Sequence, residues 1–102
     1  MKHVHFLGIG GSGASGAAAI AQAQGYEVTG CDLEPNNEFT TQFKPSQLLK
    51  GHSSEHLSKI AILAVTPAIY SLDPNNPELL EAKSKGIEVL TWQEFMGKYL
   101  MK

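Results

Sequence analysis

The fold is legible first in HVHFLGIGGSGASG, residues 3–16. Residues 3–7 are a short β-branched and aromatic run that stops at Gly8, the pattern of a buried strand. Gly8 to Gly13 then make a glycine-rich turn. From 13 to 24 the residues are small and helix-tolerant, with Ala14, Ala17, Ala18 and Ala21 at the spacing of one helix face, and Gly25 suits the position that ends such a helix. Residues 26–30 (YEVTG) predict a second strand, closing at Cys31-Asp32. A strand, a glycine turn, a helix and a strand within about thirty residues make a βαβ unit, whose crossover is right-handed almost always.

Beyond this unit, Pro35, Asn36, Asn37 and Pro45 mark turns, and residues 38–44 fit either a short helix or an irregular link. Residues 47–50 (QLLK) fit a brief edge strand before Gly51-His52. Residues 60–65 (IAILAV) form an unbroken apolar run, as in a strand covered on both faces, and Thr66-Pro67 stops it. Asn76 as cap with Pro77 at the first helical position predicts a helix to about residue 85, ended by Gly86. Residues 87–90 (IEVL) give a fifth strand. Thr91 and Glu94 predict a capping box, followed by a helix whose Trp92, Phe95, Met96, Tyr99 and Leu100 share one core-facing stripe. The alternation predicts an α/β fold: a Rossmann-like three-layer sandwich on a mainly parallel, five-stranded sheet in the order 3-2-1-4-5, with residues 1–102 as one domain.

Composition narrows the function. Of 102 residues, 42% are hydrophobic and 18% charged, a globular balance rather than a disordered one. Net charge is −2, so no basic surplus exists to hold a nucleic acid. All eight cationic residues are Lys, which excludes an arginine clamp or arginine finger from this chain. The single Cys31 excludes an internal disulfide and a cysteine-only metal site, and fits a reducing compartment. No apolar run is long enough to span a membrane. The start, with Ala21-Gln22-Ala23, faintly resembles a secretory signal, but the glycines and His3 and His5 interrupt it; a cytoplasmic location is expected.

In such sheets ligands bind beyond the carboxyl ends of the strands where strand order reverses, here between the first and fourth strands. Gly8, Gly10 and Gly13 satisfy G-x-G-x-x-G, with Gly11 and Gly16 in addition. A helix starting near Ser12 aims unpaired N–H groups and its positive dipole end at this turn, an anion site suited to phosphates. Ser12 and Ser15 are expected to add hydroxyl donors. Asp32, nineteen residues after Gly13, stands where such folds place a carboxylate on ribose hydroxyls. His52 and the turn Thr66-Pro67-Ala68 border the same crevice. At this level NAD and other diphosphate nucleotides remain open. A dinucleotide normally needs the second half of a longer sheet, which favours a single nucleotide here. His52 to His56 matches H-x-x-E-H, but in a short connection without a third ligand, so no metal site is expected. Cys31 reads as a small packing residue, with no general base identifiable near it.

Residues 5–16, HFLGIGGSGASG, resemble the opening motif of the Mur ligases. The resemblance continues in order through Val28-Thr29-Gly30-Cys31-Asp32, Gly51-His52, Thr66-Pro67-Ala68-Ile69, Asn76-Pro77-Glu78-Leu79 and Gly86-Ile87-Glu88-Val89-Leu90. It is greatest with the branch that joins L-alanine to UDP-N-acetylmuramate; the sibling that recycles a murein tripeptide is the alternative. Two positions depart: Ala14 stands where the family usually has Met, and Cys31 where it usually has Ser. The resemblance implies the first of three domains, an N-terminal UDP-sugar-binding domain in a bacterial, cytoplasmic, peptidoglycan-building ligase. Its partners would be UDP-N-acetylmuramate and the remaining ligase domains in cis, not nucleic acid or membrane. By motif it implies UDP contacts from Gly10, Gly11, Ser12, Gly13, Ser15, Asp32, His52, Thr66, Pro67 and Ala68. It implies no catalytic residue or cofactor on this domain, ATP and Mg for the full-length enzyme, and no turnover by this chain alone, which has no G-x-x-x-x-G-K-S/T phosphate loop.

Overall fold

A computed structural model describes residues 2–32, 37, 38, 40, 41, 43–51 and 60–101. Among the described residues five strands, β1 (His3–Leu7), β2 (Glu27–Asp32), β3 (Leu48–Lys50), β4 (Ile62–Val65) and β5 (Glu88–Thr91), form one sheet in the order β3-β2-β1-β4-β5. Every pairing is parallel, so the mainly parallel sheet expected from the sequence is parallel throughout. Among the described residues the α-helices are α1 (Ser12–Ala23), α2 (Ile69–Leu72), α3 (Pro77–Lys85) and α4 (Trp92–Phe95), the last widening into a π-helical turn over Met96–Leu100, and a 3-10 turn over Pro45–Gln47 leads into β3.

Alternation along the strands divides the core into two layers. Val4, Phe6, Val28, Ile62 and Ala64 face one way, and meet Ala17, Ala18 and Ala21 of α1 together with Phe95 and Leu100. Leu7, Cys31, Leu63 and Val65 face the other way, against Ile69, Leu79 and Ala82 of α2 and α3. The alanine stripe is what lets α1 lie close to the sheet. Helices on both faces make the expected three-layer sandwich.

The element ends follow local chemistry. Tyr26 N–H donates to the Ala21 carbonyl and Gly25 N–H to that of Gln22, both at 3.1 Å. This is a Schellman closure around Gly25 at φ +96°. The Asn76 side chain accepts from Glu78 N–H at 2.8 Å, and Thr91 and Glu94 exchange the two bonds of a capping box at 3.1 and 2.8 Å. Boundaries differ from expectation by a residue or two: β2 runs on through Cys31 and Asp32, and β4 begins at Ile62. The described part of 38–44 resolves as turns, with Thr40 N–H on the Asn37 carbonyl and Phe43 N–H on that of Thr40. The short helix α2 is absent from the sequence reading, because a four-residue helix carries less than two periods of pattern.

Candidate functional site

The site lies at the carboxyl edge, where β1 and β4 send their chains to opposite faces. Gly8 turns at φ +94°, and a Cβ there would lie 2.8 Å from Thr66 Cγ2. Both the backbone angle and the close approach of the β4 exit therefore require glycine. Gly8 and Ile9 N–H both donate to the Cys31 carbonyl, at 2.8 and 3.1 Å, and Gly11 N–H to the Gly8 carbonyl at 3.3 Å. The peptide groups of Gly10 are held from two sides. Its N–H donates to Asp32 Oδ2 at 2.9 Å, and its carbonyl accepts from Asn37 Nδ2 at 2.8 Å.

The first helical rung of α1 is Ser15 N–H to the Gly11 carbonyl, at 2.9 Å. The N–H groups of Ser12, Gly13 and Ala14 precede that rung and have no partner inside the helix. Just ahead of them the N-cap, Gly11, lines a cleft of about 260 Å³ together with Gly8, Asp32, Thr66, Ala68 and Leu72, among others. No acidic residue stands in the first turn of α1, so the helix start itself keeps its positive dipole end, and the acid lining the cleft is Asp32, held on the Gly10 N–H. A roomier hollow of about 510 Å³ lies by Gln22, Tyr26, Thr29 and Lys44, but no residue of the glycine turn lines it.

The residues expected at the site are thus distributed unevenly. Gly11, Asp32, Thr66 and Ala68 line the cleft; Ser12 is exposed at the start of α1, and Pro67 is exposed in the β4 exit turn. Gly10 is the clamped loop residue. Gly13 serves packing as well, since a Cβ on it would lie 2.4 Å from Trp92 Cζ2. Ser15 is buried, and its hydroxyl donates back to the Ser12 carbonyl at 3.1 Å, so that hydrogen is spent inside the helix rather than at the cleft. His52, with the H-x-x-E-H stretch, lies outside the described residues. Asn37 was not foreseen, because only the tertiary fold brings a turn residue over the loop.

Behind the loop the sequence reading needs one correction. Cys31 does have potential bases beside it: Glu78, whose carboxylate oxygens lie 3.2 and 2.9 Å from Sγ, and His5, whose Nε2 lies 3.3 Å away. Strand alternation aims His5 and Cys31 at α3, whose first turn supplies Glu78, a juxtaposition across 73 positions of sequence (78 less 5) that spacing cannot reveal. The packing role of the thiol stands for another reason. With no cation beside it, burial, then the charge and hydrogen bond of Glu78, push its pKa far up, which holds the thiol protonated rather than poised as a nucleophile.

Among the described residues no helix is long and apolar enough to cross a membrane. Residues 3–102 match the family described as Mur ligase family, catalytic domain. The chain is 37% identical over 101 residues to UDP-N-acetylmuramate–L-alanine ligase of Clostridium beijerinckii, covering 97% of this chain and 21% of the relative. It is 38% identical over 103 residues to the Acetivibrio thermocellus enzyme of the same name, covering 99% and 21%. It therefore spans about a fifth of the length of these curated relatives. Among solved structures, UDP-N-acetylmuramate-alanine ligase of Thermotoga maritima superposes with a TM-score of 0.84 at 24% identity, over 99% of this chain and 23% of that one. A murein peptide ligase of Psychrobacter arcticus does so with a TM-score of 0.86 at 22% identity, over 99% and 21%; at these identities the likeness speaks for the fold. The glycine turn, the parallel sheet around it and the match across nearly every residue agree: the chain belongs to the Mur ligase family.

Proposed function

We propose that this domain holds the UDP moiety of UDP-N-acetylmuramate, as the N-terminal domain of an ATP-dependent, cytoplasmic UDP-N-acetylmuramate–L-alanine ligase that builds peptidoglycan. The observation that carries the reading is the glycine turn at the strand-order reversal, whose Gly8 and Gly11 line the cleft with Gly11 as the N-cap of α1. The amides of Ser12, Gly13 and Ala14 suit the diphosphate, with Ser12 hydroxyl beside them. Thr66 and Ala68 line the cleft from the β4 exit, and Pro67 between them keeps its place by sequence position. Asp32 acts through the Gly10 N–H it accepts and as the acid nearest the nucleoside, and His52 keeps its place by sequence position. The relatives' names supply the sugar and the amino acid, which nothing in the cleft specifies. Bond formation, with ATP and Mg, falls in this reading to other domains in cis; no residue here is assigned a catalytic role.

Titration of the isotope-labelled chain tests this. UDP-N-acetylmuramate is expected to shift the amides of Gly11 to Ala14 with a dissociation constant on the order of 10 μM to 1 mM, or about 4–7 kcal/mol, and NADH to leave them in place. The reverse result would sink the UDP reading and promote a dinucleotide-binding module. Phosphate release from ATP by the pure chain with UDP-N-acetylmuramate and alanine would overturn the absence of a catalytic role.

A further inference from the structure

On the face of the sheet away from α1, three side chains from three elements converge: His5 of β1, Cys31 of β2 and Glu78 of α3. Each is 0% exposed. His5 Nε2 lies 3.1 Å from Glu78 Oε1 and 3.3 Å from Cys31 Sγ. The sulfur lies 3.2 and 2.9 Å from the two carboxylate oxygens. A tetrahedral zinc ion, with bonds of about 2.3 Å to sulfur and about 2.0 Å to nitrogen and oxygen, holds its ligand atoms roughly 3.3–3.6 Å apart. The three side chains already form such a face, drawn in by hydrogen bonds, and need spread only slightly to admit the ion.

The other ring nitrogen of His5 is also positioned. Nδ1 lies 2.7 Å from Thr29 Oγ1, which in turn lies 2.8 Å from His3 Nε2. Metal-binding histidines almost always have such a partner, which sets the tautomer and aims the ring.

We propose that His5 Nε2, Cys31 Sγ and the Glu78 carboxylate form a site for a zinc-class divalent cation. Binding releases one proton, from the Cys31 thiol. The neutral imidazole keeps its proton by carrying it on Nδ1, where Thr29 Oγ1 accepts, while the Thr29 hydroxyl donates to His3 Nε2. Thiolate and carboxylate neutralise the two charges of the ion, so the filled site places no net charge in the core. Imidazole, thiolate and one carboxylate oxygen supply three positions of a tetrahedral ion, and a water would take the fourth, the set of three protein ligands with one open position. Thiolate and imidazole select zinc or cobalt over magnesium and calcium. Because the Cys31 carbonyl holds the N–H groups of Gly8 and Ile9, the ion would tie the floor of the glycine loop to α3. The site stands whether or not the nucleotide is the one proposed above.

Cys31 is the only cysteine in the chain, so a thiolate signal reports this site alone. The experiment is to refold the purified chain with one equivalent of cobalt(II) and record its absorption. A thiolate-to-cobalt charge-transfer band with the intense visible bands of tetrahedral cobalt is expected, both displaced by zinc. Zinc should also raise the Tm of the wild type. Cys31→Ser, near in shape, should abolish the charge-transfer band. It should also weaken cobalt binding by more than the roughly 10- to 100-fold that losing a partner behind a ligand costs. Absence of the band in the wild type overturns the site, as does cobalt binding undiminished in Cys31→Ser, which would place the ion on histidines elsewhere. Should Cys31→Ser fail to fold, the wild-type band decides alone.

Discussion

The two faces of the sheet are filled by opposite means, although the same strands build both. Toward α1 and α4 the filling is apolar and fitted by shape. Phe95 is fully buried, with edge contacts to Phe6 at 5.7 Å and Tyr26 at 5.6 Å, and Ile9 sits where a Cβ on Gly30 would have to go. Toward α3 the filling includes an imidazole, a thiol and a carboxylate, each buried. Among the described residues every buried side-chain nitrogen and oxygen has a partner. The first face is sensitive to volume, and the second to the loss of a partner or a proton.

Phe95→Ala gives the largest effect expected of this contrast. Removing a fully buried ring costs about 3–5 kcal/mol, seen as a Tm lower by roughly 12 °C or more for a domain of this size. Urea unfolding would measure it, and a loss under about 1 kcal/mol would mean the α1 face is loosely filled after all. Asp32 continues the α1-side row of β2, after Val28 and Gly30, past the edge of the core, where packing gives way to hydrogen bonding. Asp32→Ala should weaken UDP binding by about 1.5–3 kcal/mol, the range for hydrogen bonds to a charged group. An unchanged dissociation constant in calorimetry would reduce Asp32 to a turn residue. Gly30→Ala tests volume alone. Its Cβ would meet Ile9 Cδ1 at 2.3 Å and Cβ at 2.6 Å, and the second of these cannot swing away as a side-chain tip can. We expect about 1–3 kcal/mol of destabilisation, with displaced amide signals at Ile9 and Gly10.

This difference between faces also explains what could be read beforehand. Strand order, the helical crossovers from β1 to β2 and from β4 to β5, and the caps at Asn76 and Thr91 were legible because period, glycine position and cap chemistry are local. The glycine turn and Asp32 were legible at the cleft for the same reason. His5–Cys31–Glu78 and the Asn37 clamp were not, because each joins residues whose meeting depends on register and crossover geometry. Ser15 shows the opposite failure. Its type and position suited a ligand donor, yet the helix geometry turned its hydroxyl onto the Ser12 carbonyl.

The α3 face should reveal itself through pH. Burial first, then Glu78, pushes the Cys31 thiol up, whereas in the unfolded chain a cysteine ionises near about 8.5. Above that pH the unfolded state binds fewer protons than the folded one, so this contribution to stability is complete below about 8.5 and lost as pH rises, by about 1.4 kcal/mol per unit. Comparing wild type with Cys31→Ser, both metal-free, isolates the thiol from the lysines. The difference in unfolding free energy should be flat from pH 6 to 8 and tilt against the wild type above about 8.5. A flat difference to pH 10 would show that the thiol ionises in the folded state too.

The smallest effect is expected from Asn37→Ala. Asn37 stands outside both cores, and its turn is held by its own N–H on Thr40 Oγ1 at 3.0 Å and by Thr40 N–H on its carbonyl at 3.2 Å. Neither bond uses the Asn37 side chain, so the turn should survive the substitution. The substitution removes the 2.8 Å bond from Nδ2 to the Gly10 carbonyl, worth about 0.5–1.5 kcal/mol. That loss falls on one side of Gly10, with the Asp32 bond left on the other. Global stability should therefore move little, while local opening of the loop becomes easier. By the same energy, hydrogen exchange at the Gly10 amide should quicken by roughly 2- to 10-fold, and UDP affinity should fall by no more than that. A Tm that drops as far as in Gly30→Ala would show instead that the 37–43 turn is part of the α1-side core, reaching it through the buried Phe43, and the boundary between the packed face and the hydrogen-bonded mouth would have to be redrawn there.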